Sequence, residues 1–193
     1  MNCTSWNCRG AANKPTVREL VGMVKATKSK LVFLCETRQS SEKVKRLCGR
    51  LGLRGFSGVS SDGLSGGLAL FWDEQLYVEI KALSERYIDA YVGSSPDAVT
   101  WRLTCVYGEP KAENRHLMWD TLRQLKSKSD LPWTVMGDFN EALWQFEHFS
   151  FTARAEGQMV AFPDAFDDCE LVDLGFKGVP FTYISISNVS VGR

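Results

Sequence analysis

The chain has 193 residues, 44% hydrophobic and 24% charged, with 23 Lys/Arg balanced by 23 Asp/Glu. That is ordinary for one soluble globular domain with a sizeable core. No apolar run approaches a membrane span and no secretory signal opens the sequence, so a nuclear or cytoplasmic protein is expected, neither secreted nor membrane-bound. Six cysteines lie scattered without a C-x-x-C pair, as expected of free thiols in a reducing compartment rather than zinc ligands or disulfides. The balanced charge hides an asymmetry. Residues 1–54 carry 12 Lys/Arg against 3 Asp/Glu, a net of +9, and residues 130–174 carry 1 against 10, a net of −9. A basic face beside an acidic cleft suits a protein that holds a polyanion and chelates a divalent cation. Solvated helix faces would produce the same counts.

Met1 to Cys8 reads as a first strand ending in Trp6-Asn7-Cys8-Arg9-Gly10. Thr16-Val17-Arg18-Glu19 has the form of a capping box, and Val17, Leu20, Val21 and Val24 predict a helix to about Lys28. Leu31 to Cys35 is a continuous apolar run, the mark of a strand buried on both faces, and Glu36 follows it. A second helix is predicted from Ser41 through Leu51, closed by Gly49 and Gly52. Strands are then expected over Gly67–Trp72, Leu76–Ala82, Arg86–Val92 and Val99–Tyr107, with a hairpin loop at Gly93–Asp97 and an antiparallel arrangement.

Ala112 to Lys128 is amphipathic through Leu117, Met118, Leu122 and Leu125, and Asp130-Leu131-Pro132 ends it. The strand Trp133-Thr134-Val135-Met136 comes next and leads into Gly137-Asp138-Phe139-Asn140. A helix from Gln158 to Asp168 conflicts with Pro163 inside it, and Leu171–Leu174 and Pro180–Ile184 are short strand candidates. These elements predict a two-sheet α/β (α+β) sandwich with flanking helices.

Asp138 and Asn140 leave their strand on the same side, since side chains alternate with period two. The bland reading is an Asx turn capping backbone N–H groups. The chemical reading is a carboxylate that takes a proton from water beside an amide that holds water and a phosphoryl oxygen in line. Three further strands end in polar residues: Asn7, Glu36 and Tyr107. Brought to one rim, these oxygens would suit a hard cation such as Mg²⁺, which polarises a phosphate and stabilises a leaving oxygen.

At this point the sequence resembles the endonuclease/exonuclease/phosphatase superfamily, with its DNase I-like fold. It is most similar to the endonuclease domain of plant-type non-LTR retrotransposons. Trp6-Asn7-Cys8-Arg9-Gly10, Glu36-Thr37, Ser65-Gly66-Gly67-Leu68-Ala69, Val106-Tyr107-Gly108 and Gly137-Asp138-Phe139-Asn140-Glu141 carry the likeness. Asp173-Leu174-Gly175-Phe176 and Gly178-Val179-Pro180-Phe181-Thr182-Tyr183 add to it, in the expected order. The resemblance implies that Glu36 binds Mg²⁺ with Asn7 beside it, and that Tyr107 contacts the scissile phosphate. It further implies that Asp138 activates the attacking water or stabilises its departure partner, and that Asn140 orients water and phosphate. Arg9 and His148 are candidate substrate contacts. The reaction implied is in-line hydrolysis that nicks one DNA strand.

Relatives continue past the Phe-Thr-Tyr strand into an Arg-Leu-Asp strand and a Ser-Asp-His strand end. Here Ile184 to Arg193 departs from that pattern, so residues 1–183 form the expected domain, short of its last strands, and 184–193 a divergent tail. The two histidines are His116, expected on an exposed helix face, and His148, outside any Ser-Asp-His context. Weak or absent nicking is therefore expected, with an exposed sheet edge open to self-association. The alternatives are a non-catalytic remnant that at most binds nucleic acid or protein, and a phosphatase for lipid or nucleotide headgroups. The missing pair favours the remnant, and the motifs disfavour the phosphatase.

Overall fold

The computed structural model describes residues 1–63, 65–143, 156–175 and 177, with only the backbone for 156–159. The chain divides into two compact units, Met1–Gly108 with Asp130–Phe139, and Glu109–Ser129 with Asn140–Arg193.

The first unit holds the eight described strands in two four-stranded sheets. One has the order β1-β2-β4-β3, from Cys3–Asn7, Leu31–Cys35, Leu68–Trp72 and Gly55–Val59. The other has the order β5-β6-β7-β8, from Tyr77–Leu83, Tyr87–Gly93, Val99–Tyr107 and Trp133–Asp138. The α/β sandwich expected from the element pattern is what forms.

Strand β2 shows why its sequence is apolar throughout. Val32 and Leu34 pack outward with Val17, Leu20 and Val24 of helix α1 (Lys14–Thr27) and with Val44, Leu47 and Leu51. Leu31, Phe33 and Cys35 face inward and meet Ile88, Val92, Leu103 and Cys105 of the second sheet. Alternation thus sends successive residues into two different apolar layers. Each such side chain stabilises the fold by about 1.5–3 kcal/mol.

Several expectations are corrected. Helix α1 starts before Thr16: Asn13 is its N-cap, and its side chain accepts the Thr16 N–H at 2.7 Å. Pro15 fits the first turn, where its missing N–H costs nothing. The single helix expected from Ser41 is two short ones, α2 (Ser41–Lys45) and α3 (Cys48–Leu51), broken at Arg46-Leu47. Strand β3 was not expected, because in Gly55-Phe56-Ser57-Gly58-Val59 two glycines and a serine interrupt the strand formers Phe56 and Val59. Its glycines answer a packing need, since a Cβ on Gly55 would fall 2.0 Å from the Trp72 indole.

In the second unit, Ala112–Asn114 forms a 3₁₀ turn before helix α4 (His116–Lys126), where one long helix was expected. The buried stripe is Met118, Trp119, Leu122 and Leu125, with Leu117 exposed. Helix α5 (Glu156–Asp168) runs through Pro163 without being shortened. The lost N–H bond is offset by packing: Phe162 stacks on Trp119 at 4.3 Å, and Ala165 and Cys169 are buried. Leu171–Leu174 is not a strand, and Val172 and Leu174 are exposed. The Pro180–Ile184 candidate, the 184–193 tail and His148 lie outside the described residues. Among the described residues, no helix is long and apolar enough to cross a membrane.

Candidate active site

The candidate residues of the first unit arrive at one rim through strand direction. Strands β1 and β2 are parallel, with Asn7 opposite Cys35, so Asn7 and Glu36 leave the sheet together. Strands β7 and β8 are also parallel, with Tyr107 opposite Asp138. Strands β1 and β8 approach one another, which joins the two pairs. Gly137 precedes Asp138 with φ 149°, and a Cβ there would fall 1.9 Å from the Val106 carbonyl oxygen. Only glycine lets β8 approach β7 so closely at this point.

The Asn7 amide is the hub. Its Nδ2 donates to Glu36 Oε1 and to Asp138 Oδ2, each at 2.8 Å. Its Oδ1 accepts the backbone N–H of Arg9 at 3.2 Å. The Tyr107 hydroxyl donates to Glu36 Oε1 at 3.2 Å, and Arg38 Nη2 pairs with Glu36 Oε2 at 2.6 Å. Burial pushes the Glu36 carboxyl up, but hydrogen bonds from Asn7, Arg38 and Tyr107, with the Arg38 charge, outweigh it. The net result holds Glu36 below the ordinary value of 4.5. The Tyr107 phenol is pushed up to about 12 by burial, then by the Glu36 charge and their hydrogen bond, so it remains a neutral donor near pH 7. Arg86 lies over the Tyr107 ring, 5.4 Å from its centroid.

Four sequence-predicted residues, Asn7, Glu36, Tyr107 and Asp138, thus share one hydrogen-bonded cluster. Arg9 adjoins it through its backbone and is exposed. Asn140 is the first residue of the second unit's later segment, with a left-handed backbone at φ 53°. His116 is exposed, its Nδ1 3.0 Å from the Glu113 carbonyl oxygen. Arg38 was missed by sequence reasoning. Its signal was a basic residue two positions after a metal-type carboxylate, in Glu36-Thr37-Arg38.

The donor set fits a hard divalent cation in its chemistry, because Glu36 and Asp138 offer carboxylate oxygens separated by one amide group. The amide itself turns its N–H₂ to the carboxylates and its oxygen to Arg9. No group of three or more His, Cys, Asp or Glu among the described residues is arranged to hold a metal.

Two mixed sheets with flanking helices form an α/β fold of the DNase I-like kind, with an amide, carboxylates and a phenol at one rim. The model of the Endonuclease/Exonuclease/phosphatase family matches residues 4–185, and the chain belongs to that family. Among solved structures it is similar to an AP endonuclease from Archaeoglobus fulgidus, with a TM-score of 0.65 and 15% identity over 86% of this chain and 68% of that one. A 3′-5′ exonuclease from Neisseria meningitidis matches with a TM-score of 0.62 and 16% identity, over 87% and 71%. The AP endonuclease LMAP from Leishmania major matches with a TM-score of 0.61 and 15% identity, over 86% and 65%. At these identities the likeness is one of fold, and the chain spans about two thirds of their length. A search of curated protein sequences finds no significant match.

Proposed function

We propose that this chain is a DNA endonuclease domain of the non-LTR retrotransposon type, built to hydrolyse a phosphodiester and nick one strand. The observation that carries this reading is the Asn7 amide bridging Glu36 and Asp138, with Tyr107 on the same carboxylate. Membership of the family and the order of the motifs along residues 1–183 support it.

In this proposal Glu36 holds a divalent cation, with Asn7 beside it and Mg²⁺ as the expected ion. When bound, the ion would supply Lewis-acid stabilisation of charge on the phosphate and the leaving oxygen. Asp138 takes the proton of the attacking water. Tyr107, a neutral phenol near pH 7, donates a hydrogen bond to a phosphate oxygen. Asn7 holds the two carboxylates in register, and Asn140 orients water and phosphate. The basic segment 1–54, Arg9 included, offers cations to the DNA backbone, and His148 is a further candidate substrate contact. The setting is nuclear or cytoplasmic.

The 193 residues contain no Ser-Asp-His sequence, and His116 and His148 are their only histidines. Loss of a general acid/base costs about 10²–10⁴ in rate. The chain by itself is therefore expected to bind DNA but to nick it poorly, which makes a non-catalytic binding module the second reading. Supercoiled plasmid with Mg²⁺ tests this. The expected result is salt-sensitive DNA retention, with nicking at least about a hundredfold below a complete family enzyme assayed alongside. Fast nicking that EDTA stops and Asp138→Ala removes would overturn the poor turnover and support the catalytic reading. No DNA retention at low salt would sink both readings. Self-association through a sheet edge is checked by sedimentation of the same sample.

A further inference from the structure

Both carboxylate oxygens of Glu36 are engaged by protein donors. Its Oε1 accepts from Asn7 and Tyr107, and its Oε2 is held by Arg38 at 2.6 Å. A cation that takes Oε1 must displace Asn7 or Tyr107, and one that takes Oε2 must share that oxygen with the Arg38 guanidinium or displace it. Asn7 and Tyr107 sit at the ends of sheet strands, and Tyr107 is 5% exposed. Arg38 stands outside the sheet with 42% of its side chain exposed, and it is the only one of the three that carries a charge.

The backbone aims Arg38 at this carboxylate. Glu36 and Arg38 both adopt left-handed φ of 52°, a conformation non-glycine residues keep only when neighbours impose it. The imposing bonds are Thr37 N–H to Gly67 O at 3.1 Å, Arg38 N–H to Gly66 O at 3.0 Å, and Ala11 N–H to Thr37 O at 2.9 Å. Thr37 between them is fully buried, and a Cβ on Gly67 would fall 2.3 Å from its hydroxyl. The tripeptide is thus clamped by the Gly66-Gly67 loop, with its two charged side chains meeting at the rim.

We propose that Arg38 is a resident counter-cation that competes with a divalent cation for Glu36, so that this chain binds metal more weakly than its carboxylates alone would allow. The guanidinium neutralises Glu36 in the metal-free protein and repels a second cation brought to the same carboxylate. Arg38 acts as a positioning residue through Glu36. The inference rests on the proposed reading of Glu36 as a metal ligand.

Binding of Mn²⁺ alone to the full chain, read from the EPR signal of the free ion, tests it without any activity measurement. Wild type, Arg38→Gln, Arg38→Met, Arg38→Lys and Glu36→Gln are compared, each first shown to melt cooperatively. Arg38→Gln and Arg38→Met are expected to bind Mn²⁺ about three- to fivefold tighter than wild type, the upper part of the range for a half-exposed charge pair. Arg38→Lys restores a cation and is expected to return affinity to within about twofold of wild type. Unchanged or weaker affinity in both neutral variants, with binding that still requires Glu36, would overturn the competition and leave the metal reading standing. Binding that Glu36→Gln does not weaken, or no binding in any variant, would overturn both.

Discussion

Replacing Asn7 by Ala tests the hub of the cluster directly. Two hydrogen bonds of 2.8 Å to ionised carboxylates are removed at once. Bonds to charged groups contribute about 1.5–3 kcal/mol each, and the half-buried rim lets water recover part of that. The carboxylate oxygens that flank Nδ2 lie no farther apart than twice 2.8 Å. Two unit charges at that separation repel by about 3 kcal/mol at an effective dielectric of about 20. Without the amide dipole between them, that repulsion has less to oppose it. The expected loss is about 3 kcal/mol, read as a shift of the urea midpoint by about 1–2 M. Asp138→Asn removes one charge, so Asn7→Ala in that background should cost only about 1–1.5 kcal/mol. The resulting coupling of at least about 1 kcal/mol is the quantity to measure. If Asn7→Ala costs under about 0.5 kcal/mol, or the same in both backgrounds, Asn7 does not hold the carboxylates together and the geometric case for the site fails.

The other expectations concern titration and the buried ion pair. Glu36 has a folded pKa below its ordinary 4.5, so its contribution is fully present above about pH 5 and is lost as pH falls through the folded value. Urea midpoints between pH 7 and 3 should therefore fall more steeply in wild type than in Glu36→Gln, and parallel curves would contradict this. Tyr107 has a raised pKa of about 12, so its contribution is complete below about pH 10 and fades as pH rises through 12. Phenolate absorbance should show a late component that Tyr107→Phe deletes. In the second sheet, Arg102 and Asp89 are 1% and 2% exposed and pair at 2.9 Å through both Nε and Nη2, with Thr104 donating to Asp89 Oδ1. Asp89→Ala leaves a buried guanidinium without its carboxylate and should cost about 3–5 kcal/mol in a urea melt. The double change Asp89→Leu with Arg102→Met should be near neutral, because both charges then leave the interior together.

What could be read from residues alone follows the range of each interaction. The β2 run, the α1 stripe at Val17, Leu20 and Val24, and the β6–β7 hairpin are local patterns, and the structure has them. Strand β3 escaped because its glycines answer Trp72 and the Leu68 carbonyl of β4, contacts that no local pattern encodes. The α1 start was misplaced because Thr16-x-x-Glu19 imitates a capping box, while Asn13 with Pro15 satisfies the helix end earlier. Helix α5 was expected to yield at Pro163, and packing of Phe162 on Trp119 outweighs the one lost bond. Asn7, Glu36, Tyr107 and Asp138 were legible as polar residues at strand ends. Arg38 was not, because its partner is set by a left-handed backbone at Glu36 and at Arg38 itself.

The direction of the strands explains why these residues meet. Among the described strands, β1 with β2 and β7 with β8 are the two parallel pairs, and the other four pairings are antiparallel. A parallel pair delivers two C-terminal ends to the same edge, as in open α/β folds whose sites lie there. One pair brings Asn7 and Glu36, the other brings Tyr107 and Asp138, and the closeness of β1 to β8 makes one cluster of them. Antiparallel neighbours contribute differently, by presenting the start of a strand at that edge. Strand β6 begins opposite the end of β7, where the Tyr107 N–H donates to the Arg86 carbonyl at 2.7 Å, and so places the Arg86 guanidinium over the phenol ring. Strand β4 begins opposite the end of β2, and so places Gly66 and Gly67 against Thr37 and Arg38. The parallel pairs thus supply the amide, carboxylates and phenol, and antiparallel neighbours supply Arg86 and the loop that clamps Arg38. Reversing β1 or β8 would break the cluster even with every side chain retained, so the proposed chemistry depends on sheet topology as much as on residue identity.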